Sequence, residues 1–350
     1  MRFGAARRMT VLPIQVQRDP RIPRGGVAYS MMRSHVAEIG VPEIVEPVGG
    51  GAVFEGWFAE RRAWFDQTLA TCGAILFRNF ELPTVESFER AAQLASGSLF
   101  ADYGDLPRAN AGGNIYGATP YPADQMIRFH NESSHLAAWP TRISFHCIEP
   151  ATSGGCTPLL DTRRLMHEID PAVVAAFAEK GLLYVRNFPG GVEPSWQDFF
   201  QTADRSRVEE LCRSAGSFLQ WRVDGSPRVM RRAAAVTRHA DTGEPIFFNQ
   251  VQLHHIACVD EETRDGLLAL FDVEDLPRHV YYGDGSPIPD DVMAHLDEVY
   301  ARTCVRFSWR RGDMLVLDNM SIAHARDPYE GTRKIVVAMG RMAKAEPTRS

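Results

Sequence analysis

The chain is poor in the features that classify a protein most quickly. Its 350 residues hold six cysteines (Cys72, Cys147, Cys156, Cys212, Cys258, Cys304), none in a Cys-x-x-Cys pair. That spread excludes a finger- or ribbon-type zinc site and a thioredoxin-like redox motif. Cysteine is also too sparse for a secreted disulfide scaffold, so a reduced, cytoplasmic compartment is expected. No apolar run reaches the length that crosses a bilayer, which leaves no case for a membrane partner. A net charge of -6 and a pI near 6.0 give no electrostatic case for nucleic acid. Internal repeats and low-complexity stretches are lacking as well.

What is there is ordinary for a globular protein: 45% apolar and 23% charged residues, in a length that suits one large domain or two smaller ones. Residues 1–50 are rich in Pro, Gly and Arg and close on Gly49-Gly-Gly51; they read as a partly disordered N-terminal arm. The basic start is followed by an apolar stretch broken at Pro13, Gln15 and Gln17, unlike a signal peptide. A single domain is expected over 51–345. Apolar spacing predicts helices over 57–69 and 84–96, with Thr84 as N-cap, and over 162–179, with Pro171 at a helix start. Strand-like runs lie at 73–80, 126–130, 142–148, 157–161, 246–248, 304–309, 314–317 and 334–339. The stretch of about 195–240 reads as a helical insert. Short strands far apart in sequence, with helices before and between them, predict a mixed α+β fold: a jelly-roll (double-stranded β-helix) core wrapped by helices.

The chemistry sits on Phe129-His-Asn-Glu132. Residues two apart on a strand share a face, so His130 and Glu132 would point together. The chain has two other His-x-Asp pairs, His239/Asp241 and His295/Asp297, but these fall in turn-like and helix-like strings. A third ligand candidate, His324, follows the apolar run Met314–Leu317. Two imidazoles and a carboxylate on one side of a metal leave the other positions open, as in non-haem Fe(II) oxygenases. Arg333, on the next β-like run, could grip a carboxylate with its planar fork, and Arg326 is its rival.

The wider strings are more specific. They are His130-Asn-Glu132, Trp139-Pro140, Phe145-His-Cys147, Gly154-Gly-Cys-Thr-Pro158 with Asp161, Tyr184-Val-Arg-Asn187 and Phe248-Asn-Gln250. Later come Tyr282-Gly-Asp-Gly285, Gly312-Asp313, Asp318-Asn319, His324, Arg326, Pro328, Gly331 and Arg333. Over about residues 55–342 this order resembles the TauD/TfdA-like family of Fe(II)/2-oxoglutarate-dependent dioxygenases. Its SyrP-like branch, associated with antibiotic and peptide biosynthesis, is the nearer likeness. The resemblance implies His130, Glu132 and His324 as iron ligands, with Arg333 and Thr157 on the distal carboxylate of 2-oxoglutarate. Fe(II), 2-oxoglutarate and O2 would be the cofactor and cosubstrates. Related halogenases carry Gly or Ala in place of the carboxylate, so Glu132 favours oxygen chemistry.

Two residues depart from the family strings: Cys156 stands where Glu is usual, and His135 where Tyr is usual. Polar residues around the motifs, Arg108, Asn131, Ser133, His135 and Asn249, are candidates for the substrate. The alternative is that several only satisfy backbone groups. Of the adjacent His254 and His255, at most one is expected to enter the pocket. The expected function is hydroxylation of an amino acid, free or tethered to a carrier protein, in secondary-metabolite biosynthesis. Desaturation, epoxidation or cyclisation by the same chemistry stays open, as does taurine-type catabolism of a small acid or a silent binding module. A homo-oligomer is compatible with all of these.

Overall fold

The computed structural model describes residues 32–36, 41–48, 51–100, 110–112, 114–117, 121–192 and 194–344. Strands Met32–Val36 (β1) and Glu43–Pro47 (β2) precede helix Phe54–Cys72 (α1), strand Ala74–Phe77 (β3) and helix Val85–Ser96 (α2). Asn110–Gly112 (β4), Ile115–Gly117 (β5) and Ile127–His130 (β6) lead to the long Ala138–Glu149 (β7). Ser153–Gly154 (β8) and Leu159–Asp161 (β9) are followed by helices Thr162–Glu168 (α3) and Pro171–Lys180 (α4), then Leu182–Asn187 (β10). Helices Trp196–Phe200 (α5) and Arg205–Ser214 (α6) give way to Phe218–Trp221 (β11), Pro227–Ala233 (β12), Val236–Arg238 (β13) and Pro245–Phe247 (β14). Then come Val251–His254 (α7), Glu261–Leu270 (α8), Arg278–Tyr282 (β15) and Asp290–Thr303 (α9). Met314–Asp318 (β16), Ile322–Arg326 (β17), Tyr329–Glu330 (β18) and Lys334–Lys344 (β19) complete the order.

Local chemistry accounts for the element ends. Thr84 and Ser87 form a capping box: the Thr84 hydroxyl accepts from Ser87 N at 3.2 Å, and Ser87 Oγ accepts from Thr84 N at 3.1 Å. Pro171 opens α4, where its missing N–H costs nothing, and Asp170 caps Ala172 N at 2.7 Å. Helix α1 ends at Gly73, whose φ of 75° and close approach to Ile322 leave no room for a Cβ.

Among the described residues the largest sheet runs β1-β2-β3-β16-β7-β19-β5-β4, and a three-stranded sheet, β6-β17-β9, faces it. Alternation decides what fills the space between. Leu315 and Leu317 of β16 and Ile335 of β19 turn inward, onto Ile322 of β17 and Leu159 of β9. Met314, Val316, Val336 and Ala338 turn outward, onto Trp57, Phe65 and Phe88 of α1 and α2. On the far side, Ala323 and Ala325 of β17 pack with Phe177, Leu296 and Tyr300 of α4 and α9. This is the jelly roll wrapped by helices. His324 shares its strand face with inward-turned Ile322, so the pleat aims it between the sheets.

Three expectations need correction. The ordered sheet begins before residue 51: β2 pairs in parallel with β3, Glu43 to Ile75 and Val45 to Phe77, and Val45 is buried. The insert over 195–240 is only half helical, because β11 and β12 join β10 and β15 in a four-stranded sheet. Residues 304–309 form no strand and make one bridge among the described residues, Val305 to Leu159. No helix among the described residues is long and apolar enough to cross a membrane.

Candidate active site

Strand register brings the two histidines together. In the β6–β17 pair His130 lies directly opposite His324, and their ring centroids are 4.4 Å apart. Glu132 arrives by a different route from the expected strand alternation. β6 ends at His130, and Glu132 opens a tight turn in which Ser133 takes φ 58°. Asn319, fully buried in the β16–β17 turn, holds that backbone in place. Its Oδ1 accepts from Glu132 N at 2.8 Å, while its Nδ2 donates to the carbonyls of Glu132 at 3.0 Å and Pro140 at 2.7 Å.

One ligand atom each from His130, Glu132 and His324 lies within 4.8 Å of the others. His130 Nδ1 sits 2.8 Å from the Arg128 carbonyl, an acceptor only, so Nδ1 carries the proton and Nε2 is the nitrogen that would ligate a metal. Glu132 and His324 are buried, and Phe145 stacks edge-on against His324 at 5.3 Å. Such a donor set suits a divalent transition ion with open positions.

Arg333 stands on the same inner face of the sheet. Its stem crosses Gly155, where a Cβ would come within 3.1 Å of Arg333 Cδ, and its Nε donates to the Gly155 carbonyl at 3.0 Å. Nη2 donates to Thr157 Oγ1 at 3.3 Å. No carboxylate pairs with it among the described residues, and burial, helped by neighbouring Arg326, pushes its pKa down to about 10. Arg326 is differently placed. Its Nη1 donates to the Tyr121 carbonyl at 3.1 Å, and its Nη2 to those of Pro122 and Gln125, each at 2.5 Å. It ties down a loop, and of the two arginines Arg333 is the one with capacity for an anion.

The other candidates divide. Arg108 lies outside the described residues. Asn131 donates to the Asn319 carbonyl at 2.7 Å, and Asn249 donates to Ala235 O at 3.1 Å and accepts from Val251 N at 3.0 Å. Both side chains hydrogen-bond backbone groups, as the alternative reading of these residues has it. Ser133 shapes the turn, its carbonyl accepting from Leu136 N at 2.8 Å. His135 lines a cavity of about 490 Å³, its ring 5.5 Å from that of Tyr184 and 5.4 Å from that of His254. Arg186, Arg231 and Arg278 line that cavity too. Of the paired histidines only His254 reaches it, while His255 packs on His279, which burial drives down to about 3. The three arginines and Asn319 escaped sequence reasoning. Asn319 stood in the Gly-Asp…Asp-Asn string, but nothing in its residue type named its partners.

A jelly roll with two histidines and one carboxylate converging between its sheets defines a class, the Fe(II)/2-oxoglutarate-dependent dioxygenases. The chain belongs to the taurine catabolism dioxygenase TauD, TfdA family, whose profile matches residues 44–339. It is 35% identical over 275 residues to the dapdiamide synthesis protein DdaC of Enterobacter agglomerans, covering 78% of this chain and 84% of that one. A clavaminate synthase-like protein of Arabidopsis thaliana is 28% identical over 316 residues, covering 87% and 90%. Among solved structures, PvcB of Pseudomonas aeruginosa shares the fold with a TM-score of 0.50 at 15% identity, over 85% of this chain and 84% of PvcB.

Proposed function

We propose that this dioxygenase oxidises an unactivated C–H bond of an amino-acid-like substrate, free or carrier-tethered, in a biosynthetic pathway. In this reading His130, Glu132 and His324 hold Fe(II), and Arg333 with Thr157 holds the distal carboxylate of 2-oxoglutarate. Bound iron with its cosubstrates supplies the oxidant. The protein's part is to orient: two imidazoles and one carboxylate would hold the metal while leaving ligand positions for the cosubstrate, and the apolar inner faces of β16 and β19 would limit water. The observation that carries the chemistry is the joint placement of the triad and a part-buried arginine with no carboxylate partner among the described residues. The biosynthetic role is supported by the likeness to a dapdiamide synthesis protein.

The cavity lined by His135 supports a substrate with an acidic group, because three guanidiniums line it too. The test is substrate-dependent succinate formation across free amino acids, carrier-bound aminoacyl groups and sulfonates. Amino-acid-dependent succinate with a product heavier by one oxygen is expected. Stimulation by sulfonates alone, with release of sulfite, would move the protein to catabolism.

A further inference from the structure

We infer that Trp309 is a positioning residue for the cosubstrate, setting the direction in which Thr157 presents its hydroxyl proton. The inference rests on the reading of Thr157 and Arg333 as the 2-oxoglutarate anchor. Trp309 lies in the segment ahead of β16, buried and packed edge-on to Phe307 at 4.9 Å. Its indole Nε1 donates to Thr157 Oγ1 at 3.0 Å, and Arg333 Nη2 donates to the same oxygen at 3.3 Å.

Counting donors and acceptors fixes what is left. An indole N–H and a guanidinium N–H can only donate, and a hydroxyl oxygen has two lone pairs and one proton. Both lone pairs of Thr157 are therefore engaged, and its proton has to leave toward a third group. Thr157 is itself buried, so that group lies inside the site. A hydroxyl turned outward beside a guanidinium makes an edge of donors, which fits the two acceptor oxygens of a carboxylate. Without the indole N–H one lone pair falls free and the hydroxyl can rotate. Part of its contribution is then lost to reorganisation when the ligand arrives.

Binding of 2-oxoglutarate to the Mn(II)-loaded full chain, measured by calorimetry without turnover, tests this. Trp309→Phe keeps a ring against Phe307 and removes the donor; its 2-oxoglutarate affinity should fall roughly three- to tenfold, the scale of one net hydrogen bond. Thr157→Val should lose at least as much, and the double variant should bind no more weakly than Thr157→Val alone. Affinity for 2-oxobutyrate, which chelates through the same keto-acid end but has no distal carboxylate, should be equal in Trp309→Phe and wild type.

Equal losses for both ligands would make Trp309 a packing residue and overturn the inference, as would additive losses in the double variant. Wild-type affinity in Trp309→Phe beside weakened Thr157→Val would overturn it while leaving the anchor standing. Wild-type affinity in Thr157→Val would remove the anchor itself. Should a melting curve show that Trp309→Phe misfolds, 3-benzothienylalanine at that position keeps the indole's shape without its N–H and makes the same comparison.

Discussion

At the scale of single residues the contrast between Arg333 and Arg326 says most about the chemistry. Arg326 is buried and Arg333 part-buried on the inner side of the barrel, and both lie near Tyr329, at 5.1 and 5.7 Å. Arg326 spends its Nη groups on three carbonyls, whereas Arg333 has one carbonyl and one hydroxyl. Arg333→Lys keeps the charge and loses the fork, so 2-oxoglutarate binding should weaken by about 1–3 kcal/mol. An unchanged Michaelis constant for 2-oxoglutarate would refute the anchor. Single Ala replacements of His130, Glu132 and His324 should each abolish tight Mn(II) or Fe(II) binding, read by metal titration, with little change in the melting curve of the metal-free protein. The convergence of His130, Glu132 and His324 was legible because the first pair sits in a strand-like string and the third follows one, unlike the chain's other His-x-Asp pairs. The amides were not. Asn131 and Asn249 look like pocket residues until their partners appear, and those are backbone groups 188 and 14 positions away.

At the scale of elements, Glu132 reaches the two histidines by a geometry other than the one its spacing suggested. Strand alternation predicted its direction, yet it stands in a turn whose backbone is fixed from the β16–β17 connection. That connection is itself braced, since Asp318 Oδ1 accepts from Met320 N and Ser321 N while its Oδ2 lies 3.0 Å from His239 Nε2. Asn319→Asp keeps the acceptor for Glu132 N but sets a carboxylate against two carbonyls. Metal affinity should drop by an order of magnitude or more, on the scale seen for outer-shell partners of metal ligands. Unaltered metal affinity in a folded variant would show that the turn holds Glu132 without Asn319.

A second element-level device is the buried Arg78–Asp313 pair at 3.3 Å, which joins the end of β3 to the start of β16. Burial pushes Asp313 up to about 6 despite that partner. The raised pKa means the folded state binds this proton more tightly than the unfolded chain, so its contribution to stability is full below about pH 4 and lost as pH rises through 6. Arg78→Met strands the carboxylate and should cost about 3–5 kcal/mol near neutrality. Acidification protonates Asp313 and relieves that cost. The gap in melting temperature between variant and wild type should therefore narrow from pH 7.5 to pH 5.5, and a constant gap would argue that Asp313 is neutral throughout.

At the scale of the molecule, the barrel and the insert divide the work. The barrel holds the triad, Thr157 and Arg333, and its strands were readable because their faces alternate between two apolar layers. The insert was misread as helical because β12, Pro-Arg-Val-Met-Arg-Arg-Ala, has none of that contrast: it carries three arginines and is half-exposed along most of its length. Register explains the composition. Tyr184 lies opposite Arg231 and Arg186 opposite Arg278, so residues from β10, β12 and β15 place three guanidiniums on one face, over the cavity that His135 lines. Arg186 also stacks over Phe199 at 4.2 Å and Arg231 donates to Ser217 Oγ at 3.4 Å, and positive charge on this face favours an acidic substrate. Replacing Arg231 or Arg278 with Leu should therefore raise the Michaelis constant of the substrate found by the succinate screen by about 1–3 kcal/mol, the scale of a charged hydrogen bond. The Michaelis constant for 2-oxoglutarate should stay where it is, since neither Arg333 nor Thr157 lines this cavity. If instead 2-oxoglutarate binding weakens and the substrate constant holds, the cavity is not the substrate's place, and recognition has to be sought nearer the mouth of the barrel.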